Sequence, residues 1–253
     1  MIHSAAEKGF GRGARDYEAG RPSYPVAAVD LIVAEFEIGP STFVVDVGAG
    51  TGKFTRLLVP TGARLLAVEP VAEMRAVFSE AVPGVEIVEG TGESLPLGDG
   101  SVDVVTAAQS FHWVDPVRGA AECHRVLRQG GGVALLWNSR DTTIGFTRRI
   151  KELMDRVAGT APRYASEHDD DWKDAFANHG GFTALQVRQF RLDHPTSLDA
   201  TLARVSSTSY VSAMDDAARA AVLDEVRTIL DEEGVGETFT EPYVTEVFWC
   251  RKR

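Results

Sequence analysis

Short apolar runs, separated by glycine, proline and polar residues, dominate the first half of the chain. Four of these runs are mainly aliphatic and lie at 42–47, 64–69, 85–89 and 102–107. Runs that are apolar on both faces are typical of strands in a parallel sheet covered by helices. A helix starting at Asp115-Pro116 is predicted to run to about Leu127 and to be ended by Gly130-Gly-Gly132, before a fifth strand over 132–138. The pattern therefore predicts an α/β protein.

The remainder of the chain is more polar. Residues 1–25 show little periodicity and lead into a helix predicted over 26–37. Further helices are predicted within 141–180 and over 198–206 and 215–232, and further strands over 185–192 and 243–249. We expect one domain over 1–253.

The first strand carries an acid, Asp46, and runs directly into a turn with three glycines. The turn consists of Gly48, Ala49, Gly50, Thr51 and Gly52. Glycine adopts positive φ readily and lets the backbone lie close to a ligand. Such a turn between a strand and a helix is typical of sites for nucleotide-like ligands.

The glycine turn departs from the dinucleotide-binding pattern in two respects. That pattern, started at Gly48, requires its third glycine where this chain has Lys53. Asp46 also stands where a carboxylate would repel a bound pyrophosphate. An acid there suits a ligand that has an ammonium group and no phosphate, as S-adenosylmethionine does. The turn therefore favours S-adenosylmethionine, and a purely structural turn is the alternative.

The second strand ends in Glu69-Pro70, which is the next indication of a ligand. An acid about 20 residues beyond the glycines is where ribose hydroxyls are bound. Dinucleotides and S-adenosylmethionine both require this acid, so Glu69 indicates a nucleoside without choosing between them. Pro70 suits the entry of a helix. Met74, on that helix, either covers an adenine face or packs within the protein.

Two further segments complete a set of four motifs. They are the turn Gly90-Thr-Gly-Glu93 and the apolar stretch with Asp103-Val-Val. With Asp46–Gly52 and Glu69, they resemble the successive motifs of class I S-adenosylmethionine-dependent methyltransferases, over about 40–140. The resemblance implies a Rossmann-like sheet of seven strands, mostly parallel with a reversed last strand, with helices on both faces and a helical lid.

The same resemblance divides the expected domain into four parts. These are an N-terminal cap and helix over 1–37, a cofactor-binding core over 40–140, a lid and acceptor region with one core strand over 141–215, and a closing helix and strand over 216–253. The lid would comprise the N-terminal segment with residues 140–180 and 196–215.

Three other segments resemble a narrower group, the trans-aconitate-methyltransferase-like enzymes. They are Ala14–Pro25, Ala108–Asp115 and Leu136–Arg140. This group mostly modifies small metabolites, so the resemblance implies a small-molecule acceptor. It also places Tyr17 and Arg21 in the cap, where Arg21 can pair with the cofactor carboxylate.

The resemblance assigns cofactor contacts by position. The glycine turn would hold the methionine part, Glu69 the ribose, and the turn at Thr91 the border of the adenine, although Thr91 replaces the aspartate commonest there. The residues expected to bind the cofactor are Tyr17, Arg21, Asp46, Gly48, Ala49, Gly50, Thr51, Gly52, Glu69, Pro70, Met74, Thr91, Gly92, Glu93 and Gln109.

Acceptor contacts are expected beyond the fourth and fifth strands and near residue 210. The candidates are His112, Trp113, Trp137, Asn138, Arg140 and Tyr210. His112 is the candidate catalytic base because histidine titrates near neutral pH; the alternative is a structural role. For Trp137 and Asn138 the alternative is packing. A hydroxyl acceptor needs a base, worth roughly 10²–10⁴-fold in rate, whereas a carboxylate is already ionised at neutral pH.

These observations favour methyl transfer to a small molecule, with O-methylation ahead of C- or N-methylation. Formation of a methyl ester on a carboxylate is the alternative within the enzyme class. A non-catalytic protein that binds S-adenosylmethionine is the alternative outside it, and a nicotinamide-dependent dehydrogenase is more distant.

Composition narrows the possible partners. The formal charge of −11 opposes nucleic-acid binding, which requires basic surfaces. No apolar run reaches the roughly 20 residues of a membrane helix, and no secretion signal is visible. Cys123 and Cys250 lack metal or disulfide spacing. We expect a cytoplasmic enzyme, a monomer or homodimer, that binds no metal, nucleic acid or membrane. The basic residues 251–253 would form a solvated tail.

Overall fold

The computed structural model describes residues 21–159 and 171–253, so Tyr17 lies outside the described residues. The helices are α1 (Val26–Glu35), α2 (Thr55–Leu58), α3 (Ala72–Ala81), α4 (Pro116–Val126), α5 (Gly145–Ala158), α6 (Asp171–Asn178), α7 (Leu198–Ser206), α8 (Ser209–Ser212) and α9 (Asp216–Glu232). The strands are β1 (Phe43–Val47), β2 (Arg64–Val68), β3 (Glu86–Val88), β4 (Val102–Ala108), β5 (Leu127–Arg140), β6 (Gln186–Ser197) and β7 (Thr238–Arg251). Single 3-10 turns cover Val59–Thr61 and Phe111–Trp113.

Within the described residues, seven strands form one sheet in the order β3-β2-β1-β4-β5-β7-β6. β1 pairs in parallel with β2 and with β4, and the pairs β2–β3 and β4–β5 are also parallel. β7 runs antiparallel to β5, because Lys252 N donates to Gly131 O while Asp141 N donates to Pro242 O. The expected Rossmann-like fold with a reversed last strand is confirmed.

Apolar side chains cover both faces of the sheet. Val45 and Val105 pack in one cluster with Phe176 of α6. Val44 packs in another with Ile32 of α1. Successive residues of a strand point to opposite faces, so an uninterrupted aliphatic run such as β1 needs a helical layer on each side. This arrangement leaves the strand ends as the place for a ligand.

The described residues divide into two compact units. The sheet unit comprises 23–137, 171–190 and 245–253, and the helical unit comprises 21–22, 138–159 and 191–244. The apolar core of the helical unit is built from α5, α7 and α9. The expected division of one domain into cap, core and lid stays a prediction. No helix among the described residues combines the length and the apolarity needed to cross a bilayer.

The fifth strand begins earlier than predicted. Helix α4 ends at Val126 and β5 begins at Leu127, so Gly130–Gly132 lie within the strand. A Cβ at Gly132 would lie 1.9 Å from Phe36 Cε1. The glycine therefore allows an aromatic ring to pack directly on the strand, and the prediction that this glycine run ends the helix is wrong. The other predicted helices and strands are confirmed with shifted ends.

The basic residues Arg251–Arg253 do not form a solvated tail. Arg251 belongs to β7, and its guanidinium donates to Gly130 O at 3.1 Å. Lys252 Nζ donates to His124 O at 2.6 Å and to Leu127 O at 2.8 Å. These carbonyls lie at the end of α4, where a helix leaves backbone acceptors unsatisfied. The side chains of Arg251 and Lys252 therefore donate to backbone carbonyl groups of the protein.

Candidate functional site

The candidate site lies at the carboxyl end of the parallel strands in the sheet unit. Val47 of β1 is in register with Val68 of β2, and each is the last residue of its strand. The segments 48–52, 69–71 and 109–113, which follow β1, β2 and β4, therefore emerge at the same edge. This edge carries most of the predicted cofactor residues.

The glycine turn has two packed positions and one open position. Gly48, Gly50 and Gly52 have φ of 65°, 56° and 87°. A Cβ at Gly48 would lie 2.4 Å from Ser110 Cβ, and one at Gly52 would lie 2.4 Å from Val82 Cγ2. A Cβ at Gly50 would meet no atom of the described chain within 4 Å. Gly48 and Gly52 are therefore required by packing, while Gly50 offers an open backbone face to a ligand.

Hydrogen bonds fix this turn to the neighbouring strands. Gly48 N and Ala49 N both donate to Val68 O, at 2.8 and 3.2 Å. Ser110 Oγ donates to Val47 O at 2.6 Å. The turn is thus held in shape before any ligand binds, which reduces the cost of ordering it on binding.

Glu69 connects the glycine turn to the end of β2. Its carboxylate is 6% exposed. Oε2 accepts the Gly50 N–H at 2.9 Å, and Oε1 accepts the Val71 N–H at 2.9 Å. Burial raises the pKa of Glu69, against the hydrogen bonds from these two backbone groups. Each oxygen can accept one further hydrogen bond, so the carboxylate fits a pair of ribose hydroxyls.

Asp46 has a structural task that the sequence did not reveal. Its side chain is 2% exposed and accepts hydrogen bonds from Thr55 Oγ1 at 2.5 Å and Thr106 Oγ1 at 2.8 Å. Burial raises the pKa of Asp46 to about 6, although the two threonine hydrogen bonds oppose the shift. The carboxylate ties β1 to β4 and α2. Contact between Asp46 and a ligand ammonium group stays a prediction.

The turn predicted to border an adenine is held against the start of α4. A Cβ at Gly92 would lie 2.5 Å from Val114 Cγ2. Glu93 Oε1 accepts the N–H of Asp115, the N-cap residue of α4, at 2.9 Å. Thr91 precedes them in the same turn. The turn is therefore rigidly placed at the same edge as the glycines.

The remaining cofactor candidates of the sheet unit lie on α3 and after β4. Met74 is buried on α3, and Pro70 lies just before that helix. Gln109 has φ of 55°, unusual for a residue other than glycine, and its N–H donates to Leu136 O at 2.9 Å. Non-glycine residues with positive φ store strain and are found often at functional sites.

His112 and Trp113 lie on the 3-10 turn that follows β4. Phe111 anchors this turn in the core, with its ring 5.6 Å from that of Phe176. The His112 and Trp113 rings are 5.1 Å apart, and both side chains are half-buried. The structure thus brings these two candidates to the same edge as the glycine turn.

Trp137 has a packed environment. Its ring stacks on Trp172 at 4.5 Å and meets Phe248 edge-on at 5.7 Å. It belongs to the apolar cluster on the α4 and α6 side of the sheet. This favours the packing alternative for Trp137, and contact with an acceptor stays a prediction.

Four predicted site residues lie in the helical unit: Arg21, Asn138, Arg140 and Tyr210. Arg140 Nε lies 2.5 Å from Glu241 Oε1. Tyr210 is half-buried beside the apolar core of this unit, and Asn138 is buried.

Sequence reasoning missed the charged group around Arg140. It also contains Arg204, Glu241 and Tyr243. The predicted strand begins at residue 243, so Glu241 lies outside it, whereas the observed strand begins at Thr238. One signal in the sequence could have found this group: Glu241 stands among β-prone residues in 238–249, and an acid in a buried strand needs a charged partner.

Comparisons with known proteins agree with this geometry. Residues 45–135 match the methyltransferase-domain family. An uncharacterized methyltransferase of Mycobacterium tuberculosis is 38% identical over 221 residues, 87% of this chain and 85% of that protein. Malonyl-[acyl-carrier protein] O-methyltransferase of Methylococcus capsulatus is 35% identical over 133 residues, 49% of this chain and 48% of that protein. The solved structure of the YcgJ protein from Bacillus subtilis shares the fold, with a TM-score of 0.57 and 22% identity, covering 90% of this chain and 98% of that chain.

Proposed function

Because this chain belongs to the class I S-adenosylmethionine-dependent methyltransferases, we propose that it methylates an oxygen atom of a small-molecule metabolite. S-adenosylmethionine is the methyl donor of the family. The observation that carries the site assignment is the joining of Gly50, with its open backbone face, to the buried carboxylate of Glu69. A ligand can lie close to the backbone at Gly50, and the adjacent Glu69 carboxylate can accept hydrogen bonds from its ribose hydroxyls.

The residues fit the parts of the cofactor in order along the sheet edge. The turn 48–52 would hold the methionine part, Glu69 the ribose, and the turn 91–93 the border of the adenine. When bound, the cofactor supplies a methyl group already activated by its sulfonium. The chain therefore has to orient the acceptor and exclude water, and such positioning contributes roughly 7–11 kcal/mol when the geometry is near attack.

We propose that His112 accepts the proton of a hydroxyl acceptor. The acceptor oxygen would take up the methyl group from the cofactor, whose sulfur would keep the electron pair of the broken methyl–sulfur bond, and the hydroxyl proton would pass to a ring nitrogen of His112. The rigid anchor at Phe111 holds the turn that carries the ring. A carboxylate acceptor would leave His112 with no proton to take.

Variants of His112 test this role. With a metabolite extract and radiolabelled cofactor, His112→Gln should reduce methyl transfer by roughly 10²–10⁴-fold, with the affinity for S-adenosylhomocysteine unchanged by calorimetry. His179→Gln, a change at a histidine in another part of the sheet unit, is the matched control. Transfer within a few-fold of the wild type would remove the base assignment and favour a carboxylate acceptor.

The acceptor class rests on charge and on resemblance. The net charge of −11 disfavours nucleic acids as acceptors, and 108–115 and 136–140 resemble enzymes that mostly modify small metabolites. The extract should therefore give labelled products of low molecular mass. Label found only in nucleic acid or protein would contradict a small-molecule acceptor, and cofactor bound without any transfer would support a non-catalytic binding protein. We also propose a cytoplasmic location, because Cys123 and Cys250 lack the spacing of a disulfide framework.

A further inference from the structure

The segment Glu69–Val71, which joins β2 to α3, is fixed through its backbone polar groups. Glu69 N donates to Val88 O at 3.0 Å, and Val71 N donates to Oε1 of Glu69 at 2.9 Å. Val71 O accepts from Arg75 N at 3.1 Å, and Pro70 has no N–H to donate. The carbonyl groups of Glu69 and Pro70 remain to be satisfied.

One side chain of α3 holds both of these carbonyl groups. Arg75 Nη1 donates to Glu69 O at 2.8 Å and to Pro70 O at 2.7 Å. Its Nη2 lies 3.0 Å from Glu89 Oε2, where the Arg75 side chain is 21% exposed and that of Glu89 is 72% exposed. Solvent screens an ion pair of this kind, so Glu89 contributes little. The guanidinium therefore acts mainly on the backbone that carries Glu69.

The charge of Arg75 also acts on the Glu69 carboxylate. Burial raises the pKa of this carboxyl group, whereas the hydrogen bonds from Val71 N and Gly50 N and the positive charge of Arg75 lower it. Asp46 on β1 acts in the opposite direction, because two neighbouring carboxylates disfavour each other's ionisation. Arg75 thus favours the ionised form of Glu69, in which both oxygens accept hydrogen bonds.

Another arginine of the sheet unit shows the same arrangement away from the candidate site. Arg251 donates to Gly130 O at 3.1 Å and to Glu35 O, and its Nε lies 3.7 Å from Glu35 Oε1. Each of the two arginines therefore holds two carbonyl groups and faces one acid. The difference is in what they hold, because Arg75 fixes the backbone of the acid that we assign to the ribose.

We propose that Arg75 is a positioning residue for the cofactor site, which holds Glu69 in place and in its charged form before the ribose binds. Order that exists before binding does not have to be created on binding, which raises the affinity. A neutral side chain would lack the charge, and lysine would keep the charge without the planar pair of donors. Taking the ligand to be S-adenosylmethionine rests on the proposed function; the support of Glu69 rests on the contacts of Arg75.

Calorimetry with S-adenosylhomocysteine at about pH 7.5 tests this role on the full chain. Arg75→Met removes both carbonyl contacts and the charge, so the affinity should fall by about tenfold or more. Arg251→Met is the matched control, because it also loses two carbonyl contacts; it should lose stability towards urea and keep the wild-type affinity. A folded Arg75→Met that binds like the wild type overturns the proposal, and so does an equal loss of affinity in Arg251→Met.

The pH dependence of binding separates the charge of Arg75 from a simple loss of structure. Wild-type affinity should fall as the pH is lowered and Glu69 takes up a proton. Removing a positive charge raises the pKa of a carboxyl group, so in Arg75→Met this fall should begin about half a pH unit higher or more. Arg75→Lys should keep the wild-type midpoint, with an affinity between those of the wild type and Arg75→Met. If the affinity of Arg75→Met is reduced equally at every pH, the proposal is wrong.

The Glu69→Gln background assigns the shift to Glu69. Burial raises the pKa of Asp46 to about 6, and Asp46 still titrates in this background. Adding Arg75→Met to Glu69→Gln should leave the shape of the pH profile unchanged, and a shift there would contradict the proposal. If Arg75→Met does not fold, Arg75→Gln, which is also uncharged, decides by the same criteria. A wild type that fails to bind S-adenosylhomocysteine would instead contradict the proposed function.

Discussion

Substitution of Gly50 by alanine separates the ligand role of the glycine turn from its structural role. Gly50 has φ of 56°, and an added Cβ would touch no atom of the described chain within 4 Å. The cost to folding is then only that of a left-handed alanine, about 1–2 kcal/mol. The new methyl group would project from the backbone face that we assign to the cofactor. Affinity for S-adenosylhomocysteine should therefore fall at least tenfold, or about 1.4 kcal/mol.

Two other glycines serve as references for this variant. Gly100 has φ of 60° and equally open surroundings, so Gly100→Ala should lose the same stability and keep wild-type affinity. Gly48→Ala would press its Cβ against Ser110 at 2.4 Å, which adds roughly 1–3 kcal/mol of overpacking to the backbone cost. Gly48→Ala should therefore be the least stable of the three.

For each variant, urea unfolding gives the free energy of unfolding, and calorimetry gives the affinity for S-adenosylhomocysteine. The reasoning fails if Gly50→Ala folds and binds like the wild type. It also fails if Gly100→Ala loses affinity to the same degree, since the loss would then come from backbone strain and not from the cofactor face.

Three further outcomes are expected. Glu69→Gln should weaken S-adenosylhomocysteine binding by about 1–3 kcal/mol, the cost of losing a hydrogen bond to a charged group. Glu89→Gln, a change at an exposed acid, is the control and should leave the affinity unchanged. Equal calorimetric affinities for the two variants would contradict the assignment of Glu69 to the ribose. Burial raises the pKa of Asp46 from 3.8 to about 6, so protonation of this side chain stabilises the folded state. The stabilisation is fully present below about pH 4 and is lost as the pH rises through about 6. Asp46→Asn cannot titrate, so its unfolding free energy relative to the wild type should rise by about 2 kcal/mol between about pH 4 and pH 7. A difference in urea midpoints that is independent of pH would refute this. Gly132→Ala should destabilise the fold by roughly 1–3 kcal/mol through contact with the ring of Phe36, and Phe36→Leu in the same chain should recover part of the loss; no recovery would point to another cause.

The first strands and the glycine turn could be predicted because their signals are local, whereas the sheet of seven strands with a reversed last strand was implied by the family resemblance. A buried parallel strand needs a continuous apolar run, and the turn that follows needs glycines at fixed positions, so β1 and Gly48–Gly52 can be found in a short window. Glu69 follows at a set distance along the chain. None of these inferences requires knowledge of distant contacts.

The contacts that the sequence left hidden join positions far apart. Asp46 and Thr106 are 60 residues apart in sequence, and Arg140 and Glu241 are 101 apart. Their partnership depends on strand order and on which face each side chain takes. Gly132 shows the same limit, because the residue must be glycine to leave room for the ring of Phe36, which follows α1. Local spacing predicted a helix end there, and tertiary packing decided otherwise.

The strand order has a consequence for synthesis of the protein. β7 lies between β5 and β6 although it follows both in sequence. While a ribosome is still making residues 238–251, β6 has no neighbour to pair with, and one edge of β5 offers open hydrogen-bonding groups. Exposed edges of this kind invite pairing with other chains. The growing polypeptide should therefore depend on chaperone protection until β7 emerges and fills the gap.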